Sequence, residues 1–439
     1  MSVRTKIQVG MGSFEFMVNA RRAIFYTFLT LFMAEVLGAN FIQLGLVITL
    51  PMLANAGMQA FVWGRVSDRL RRRRLLIVIG ESFAGIGYLL IWTNITIWTI
   101  IVGLTIIEAI WSMSNTGWSA LFADLTEPAE RSTLMGRINA VGIIGRIFGA
   151  TVIGFLYDFP TPGAGYFWVF PIAAGIMFGS VGTLVTTVPE IQAPISPEGP
   201  PDSIPPLTKK PSWRNRYPRR YLIFLSVWAF ITIGWVCYLS LFTIFLRTGL
   251  NLNSIEISLV RNVNSAVGLI AAPVAGFLGD RIGRKPVIIG ALAIQAITAV
   301  FYGFVNTLLG MLVVNSANGI VRPTIHTLGY ALAADMIPET RRGELFGLYN
   351  AVWTISFGTS PTAVGGVYAT WRMNEYLMLG ASPETASTQA IVDTFFLSAG
   401  LVLIGTILFG GAIKEPEQKE GEVEIIREEE QIAIMDALD

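Results

Sequence analysis

Charge is scarce in this chain. Of its 439 residues only 14% are Asp, Glu, Lys or Arg, where a soluble domain carries roughly a quarter. There is one cysteine, Cys237, and one histidine, His326. A single cysteine excludes an intramolecular disulfide. A single histidine, with no His-Glu-x-x-His pattern and no Cys/His cluster, leaves no metal site and no zinc-type hydrolase chemistry to propose. No Gly-x4-Gly-Lys-Ser/Thr loop is present, so ATP is not the expected driver. No basic surface of the kind that grips nucleic acid stands out, and the net charge of +1 says nothing about partners.

What the chain has instead is apolar length. It is 53% hydrophobic with 44 glycines. Stretches of about 20 apolar residues are long enough to cross a bilayer. Twelve are expected, at roughly 23–41, 43–65, 74–93, 97–121, 134–157, 166–187, 221–246, 254–278, 286–304, 308–334, 344–369 and 390–413. The first is too long for a signal peptide and reads as a retained helix. Most of the 31 Lys and Arg fall on the side shared by both termini; only Arg247 and Arg372 fall on the other. The positive-inside bias therefore places both termini in the cytoplasm. Residues 189–219 are rich in proline and in basic residues and read as a cytoplasmic linker. The tail at 414–439 is acidic. The expected organisation is a helical part at 1–188, that linker, a second helical part at 220–413, and the tail.

Two motifs repeat half a chain apart. Gly64-Arg65-Val66-Ser67-Asp68-Arg69 is echoed by Gly276-Phe277-Leu278-Gly279-Asp280-Arg281, each followed by a basic run that includes Arg284 in the second copy. Asp124, Arg131, Gly136, Asn139 and Ala140 recur at one constant offset as Asp335, Arg342, Gly347, Asn350 and Ala351. Repeats at nearly one offset signal duplication. The loops carry a physical reading of their own. Gly64 and Gly276 leave room for a neighbouring helix. Asp68 and Asp280 would sit against a helix N-terminus. Arg69 and Arg281 would pair with carboxylates between the two parts, with Arg131 and Arg342 facing the aspartates. Such a set would latch one end of the molecule.

With these motifs the whole chain resembles the major facilitator superfamily. The second loop nearly completes that family's pattern, whereas the first has Arg71 where the family usually has Gly. The resemblance implies an all-α integral membrane protein of twelve helices in two pseudo-symmetric six-helix bundles, with a central cavity that opens alternately to each side. It also implies that helices 1, 4, 7 and 10 line the cavity.

Ionisable residues within apolar spans are costly and mark pathways. The expected set is Glu35 in helix 1, Glu108 in helix 4 with Asn115 on its face, Arg146 in helix 5, Arg261 in helix 8, and Arg322 in helix 10 on a stripe with Asn318 and His326. Glu35 is read as the proton-coupling acid at mid-helix, Glu108 as the partner of Arg146, and Arg322 as the anchor of an anionic substrate group. Glu81 is read as a partner of the arginine-rich loop. The expectation is a proton-coupled secondary transporter of a small organic solute, leaning towards an anionic one, not an enzyme, without cofactor, working as a monomer in the lipid bilayer of the plasma membrane. A proton-antiporting multidrug efflux protein is the alternative, although Gly149-Ala150 stands where drug antiporters of the family often have Gly-Pro. A non-transporting sensor on the same scaffold is the reading from a different class.

Overall fold

A computed structural model describes residues 3–63, 66–67, 70, 72–125, 131–190, 219–336 and 342–413. The described residues are helical and contain no β-strand. In chain order the helices are α1 (Val3–Tyr26), α2 (Leu29–Glu35), α3 (Phe41–Met58), α4 (Arg73–Thr93), α5 (Ile97–Leu125), α6 (Arg131–Leu156), α7 (Val169–Thr187), α8 (Arg219–Val236), α9 (Phe242–Thr248), α10 (Ser254–Ile282), α11 (Arg284–Tyr302), α12 (Leu308–Asp335), α13 (Arg342–Ser360), α14 (Val367–Met378) and α15 (Pro383–Ala412). Short π segments, Gln59–Trp63 and Pro361–Gly366, extend α3 and join α13 to α14. The 189–219 linker, apart from its ends, and the 414–439 tail lie outside the described residues.

Among the described residues nine helices are long and apolar enough to cross a membrane. The three remaining expected spans are the polar ones, and their chemistry explains why they fall short. The first helix begins at Val3 rather than near residue 23, so Glu15, Arg21 and Arg22 are part of it, and it breaks at Thr27–Phe28 before the seven-residue α2. Arg21 and Arg22 are therefore not flanking charges, as their place in the sequence suggested. Helix α12 carries Asn315, Asn318, Arg322 and His326 along its length. The expected eleventh span is divided between α13, a π segment and α14.

Local chemistry starts the helices at defined points. Asn40 and Asn253 each cap a helix with a reciprocal capping box, to Gln43 and Glu256 respectively. Each side chain satisfies an amide that a helix end would otherwise leave bare, a contribution of about 1 kcal/mol. The two boxes open α3 and α10, so they are one more pair in the repeat.

The packing recurs too. Helix α4 packs on α5 and α7 as α11 packs on α12 and α15; α1 packs on α6 and α7 as α8 packs on α13 and α15. Contacts between the N-terminal and C-terminal parts run through α6 on α10, α3 on α13 and the second π segment, and α2 on α9. One core of buried side chains spans the N-terminal part and continues into Tyr238, Phe245, Ile257 and Phe395 of the C-terminal part. A second core, with Phe224, Trp228, Leu292, Leu328 and Phe409, belongs to the C-terminal part alone and lies towards the Asp280 loop. Among the described residues, the buried core shared by the two parts lies at the end opposite that loop.

Close helix approach depends on small residues. A Cβ added at Gly149 would lie 2.9 Å from the Cα of Ala20 in α1, and one added at Gly45 would lie 2.6 Å from the Cα of Thr362. Backbone cannot yield as a side-chain tip does. Gly149→Ala is expected to destabilise the protein by about 1–3 kcal/mol, as overpacking does, and to lower its melting temperature in detergent. Gly175→Ala, where a Cβ meets nothing within 4 Å, should melt with the wild type. Equal melting of both variants would refute the close α1–α6 approach.

Candidate functional site

A cavity of about 440 Å³ lies between the two parts of the chain. It is positioned by two interrupted helices. The break between α1 and α2 places Tyr26 and Thr27 on its wall, and the break between α8 and α9 places Tyr238 and Leu239 there. Non-helical backbone at membrane depth is tolerated where it lines a cavity or finds a partner. Here the Thr27 carbonyl accepts a hydrogen bond from the Thr243 hydroxyl at 3.3 Å.

Four arginines line this cavity: Arg22 from α1, Arg146 from α6, Arg261 from α10 and Arg322 from α12. Among the described residues no aspartate or glutamate lines it, and none of the four arginines is in an ion pair. The Nε atoms of Arg146 and Arg261 are buried without a hydrogen-bond partner. Arg261 donates to the Thr243 hydroxyl and lies 5.9 Å from the Phe242 ring centre. Arg22 lies 4.8 Å from the Trp111 ring centre. Arg22 and Arg146 are within electrostatic reach of Arg322.

Amides and aromatic rings make up the rest of the wall. Asn318 donates to Gln295 at 2.7 Å and to Thr298 at 3.2 Å, and accepts from Asn264 at 3.4 Å. Asn315 donates to the Val260 carbonyl at 2.7 Å and accepts from Tyr302 at 2.8 Å. This network ties α10, α11 and α12 together with its polar groups satisfied, which rigidifies a buried site. Trp235, Tyr238, Phe242 and Phe357 supply apolar surface. A second crevice of about 530 Å³ opens between Val36, Trp92 and Trp168. It contains no charged side chain and so nothing to grip an ionic solute.

Among the described residues the acids stand outside the cavity lining. Glu108 is buried in α5, and its carboxylate accepts from Tyr26 at 2.8 Å and from Asn55 at 2.9 Å. It does not pair with Arg146, contrary to the reading from the sequence. Neighbouring helices do not guarantee neighbouring faces, and α6 turns Arg146 to the cavity. Glu81 is fully buried and accepts from Trp111 at 2.6 Å and Ser114 at 2.8 Å, so it is no partner of the arginine-rich loop. Its neighbour in charge is Arg21, 1% exposed, whose only hydrogen bond among the described residues goes to the Tyr88 hydroxyl at 3.0 Å. Glu15 accepts from Asn19 at 2.8 Å. Reading helix 1 from residue 23 hid Glu15, Asn19, Arg21 and Arg22. A polar residue three to four positions from the next, from Glu15 to Tyr26, was the available signal.

Other expected site residues are scattered. Asn115 is exposed and outside the cavity lining. His326 stands edge-on to Trp353, ring centres 4.9 Å apart, with its Nε2 unpartnered and away from the lining. Of the proposed latch, Gly64, Asp68 and Arg69 lie outside the described residues, as do the side chains of Asp124, Arg131 and Arg342. Arg281 lies over the Phe277 ring of its own helix at 4.2 Å rather than on a carboxylate. A Cβ at Gly276 would meet nothing within 4 Å, so no helix crowds it. Arg284 pairs with Asp335, both within the C-terminal part.

Glu35 is not at mid-helix. It is the last residue of α2, and it joins a clasp at the end opposite the Asp280 loop. Arg247 of α9 donates to Glu35 at 3.1 Å and, through both terminal nitrogens, to Asp158 at 2.8 and 3.2 Å. Asp158 also accepts from the Ser254 amide at 3.1 Å, and Glu35 from the Tyr157 hydroxyl at 2.9 Å. Two-point arginine–carboxylate geometry is the strong form of such a pair. Among the described residues, the ion pairs that join the N-terminal to the C-terminal part are these alone. Arg372, the other cation expected at this end, is held by Asp393 at 2.6 Å and by Glu375.

A helical, largely apolar chain wrapped around a central polar cavity is the architecture of a membrane transporter. The sequence profile of the Major Facilitator Superfamily matches the chain twice, over residues 13–253 and 229–433, and the protein belongs to that superfamily. It is 24% identical over 379 residues to a multidrug resistance protein, MdtG, of Escherichia fergusonii, covering 83% of this chain and 88% of that one. It is 30% identical over 120 residues to an uncharacterised MFS-type transporter of Methanocaldococcus jannaschii, covering 27% of this chain; the chain spans only 31% of that relative's length. Its fold is similar to that of a bacterial homologue of the human lysosomal transporter Spinster in an inward-facing, occupied conformation, with TM-score 0.76 and 12% identity, covering 95% of this chain and 98% of that one. It is also similar to that of the nucleoside transporter NupG, with TM-score 0.72 and 14% identity, covering 95% of this chain and 100% of that one.

The clasp is partly solvated, with its side chains 18% and 27% exposed, so its contribution is discounted for screening to about 1 kcal/mol or less. Arg247→Gln is expected to raise the population open at this end by about two- to five-fold. Pulsed electron-electron distance measurement between labels at Thr161 and Asn251 would show a longer component. An unchanged distance distribution would refute the clasp.

Proposed function

We propose that the protein is a secondary active transporter that carries a small organic anion by alternating access, driven by protons. One observation carries the reading: four arginines without ion pairs face a cavity whose described lining contains no acid. An arginine in an apolar bundle persists when a partner or water compensates it. Here an anionic solute is the compensating partner. The wall of amides and aromatic rings suits an organic body, which apolar contacts hold and a few polar groups orient.

The chain is proposed to form twelve spans in two six-helix bundles, 1–188 and 220–413, working as a monomer in the plasma membrane with both termini cytoplasmic. The recurring packing, the paired capping boxes and the twofold profile match support the duplication. Cross-contacts gathered at the clasp end support a state closed there and open towards the Asp280 loop, the proposed cytoplasmic side. In the opposite state the clasp would part and the loop end would close.

Proton coupling is reassigned from Glu35 to Glu108. Glu35 is engaged at the clasp. Glu108 is buried at the cavity's edge and hydrogen-bonded to Tyr26, which lines the cavity, so protonation there is felt by the solute site.

Multidrug efflux is the second reading, favoured by the MdtG relatives. The cavity's charge argues against cationic drugs, since like charge at close range in a low-dielectric site is repulsive. Proteoliposome flux decides. Glu108→Gln is expected to retain counterflow of an organic anion while losing accumulation driven by a pH gradient, and Glu35→Gln to retain both. Uphill accumulation by Glu108→Gln at the wild-type level would remove Glu108 from coupling. Uptake of tetraphenylphosphonium in preference to anions would overturn the anion reading.

A further inference from the structure

We infer that the solute carries two separated negative charges. The inference rests on the anion-transport reading and sharpens it. The first observation is the charge balance of the central layer. Arg21, Arg22, Arg146, Arg261 and Arg322 stand against Glu15, Glu81 and Glu108. With all eight ionised, two positive charges remain uncompensated, and a protonated Glu108 leaves three. A monoanion would leave the layer charged in every state. A dianion neutralises it when Glu108 is ionised.

The second observation is spatial. The cavity arginines form two poles. Arg22, Arg146 and Arg322 are electrostatically coupled and make one pole, contributed by both parts of the chain. Arg261 makes the other, about two turns into α10 from its start at Ser254, held on the Thr243 hydroxyl beside Phe242. Asn264 and Asn318 lie on the wall as uncharged hydrogen-bonding groups. At each pole one guanidinium nitrogen, the Nε of Arg146 and of Arg261, is enclosed without a hydrogen-bond partner, and neither arginine is in an ion pair among the described residues. Guanidinium forks accept carboxylate and phosphate alike through paired hydrogen bonds. The solute is therefore an organic molecule with an anionic group at each end, carboxylate or phosphonate-like, within the reach of a 440 Å³ cavity.

The test uses the purified full chain and pairs of probes that differ by one charge. Succinate, adipate and suberate are compared with their monomethyl esters, and 3-phosphonopropionate with its carboxyl methyl ester, by ligand-induced thermal stabilisation. At least one dianion should bind about tenfold or more tightly than its ester, the loss expected when one charged hydrogen-bonded pair is removed. Preference for the phosphonate arm or the dicarboxylate arm identifies the terminal group. Arg261→Gln and Arg322→Gln should each erase that preference, and Arg261→Lys should restore part of it. The ligand-free melt of each variant, read alongside, separates loss of binding from loss of stability. Esters that match their dianions, with anion counterflow in proteoliposomes, would overturn this inference and leave the anion transporter standing. Stabilisation by tetraphenylphosphonium alone, or by none of the anions, would overturn it as well.

Discussion

Positive charge held inside an apolar helical bundle is the constraint from which the rest of this structure follows. A guanidinium at bilayer depth is tolerated when water, a partner or a cavity surrounds it. Arg21 is fully enclosed and leans on Tyr88 and the field of Glu81. Arg22, Arg146, Arg261 and Arg322 are in no ion pair among the described residues and line the cavity they face. The breaks in α1–α2 and α8–α9 and the satisfied amide network of Asn264, Asn315 and Asn318 are what keep that polar interior open within an otherwise well-packed molecule.

The two ends of the molecule are built differently. At the clasp end apolar packing is continuous between the two parts and Arg247 ties them by charge. Towards the Asp280 loop the C-terminal part has a core of its own. Beside the shared core, Gly45 and Gly366 bring backbone against backbone between the two parts, a contact made by small residues rather than by interdigitating large ones.

The acids and bases separate by location. Glu15, Glu81 and Glu108 gather on the N-terminal side with Arg21 and Arg22, whereas the C-terminal wall is amide-rich and carries Arg261 and Arg322. Tyr26 touches both worlds: its hydroxyl donates to Glu108 and its side chain lines the cavity. The Glu108 carboxylate on one side is thus connected to the cavity wall on the other through a single side chain.

The amino-acid sequence by itself determined the class of this protein. Scarce charge, long apolar runs and the duplicated Gly/Asp/Arg loops specify a repeated helical membrane protein because span length and repeat spacing are one-dimensional properties. Arg146, Arg261 and Arg322 were legible for the same reason: an arginine inside an apolar run stands out. Facing was decided only by the tertiary structure. Helix 1 starts at Val3, which brings Arg22 to the cavity and carries Glu35 to the far end, because tertiary packing stabilises a polar segment that hydropathy alone excludes. Glu108 and Arg146 sit on adjacent helices yet look in different directions, since a rotation of a helix about its axis changes every partner and leaves the sequence pattern untouched. The clasp of Glu35, Asp158 and Arg247 joins three distant segments, and no spacing along the chain encodes a meeting that only folding creates.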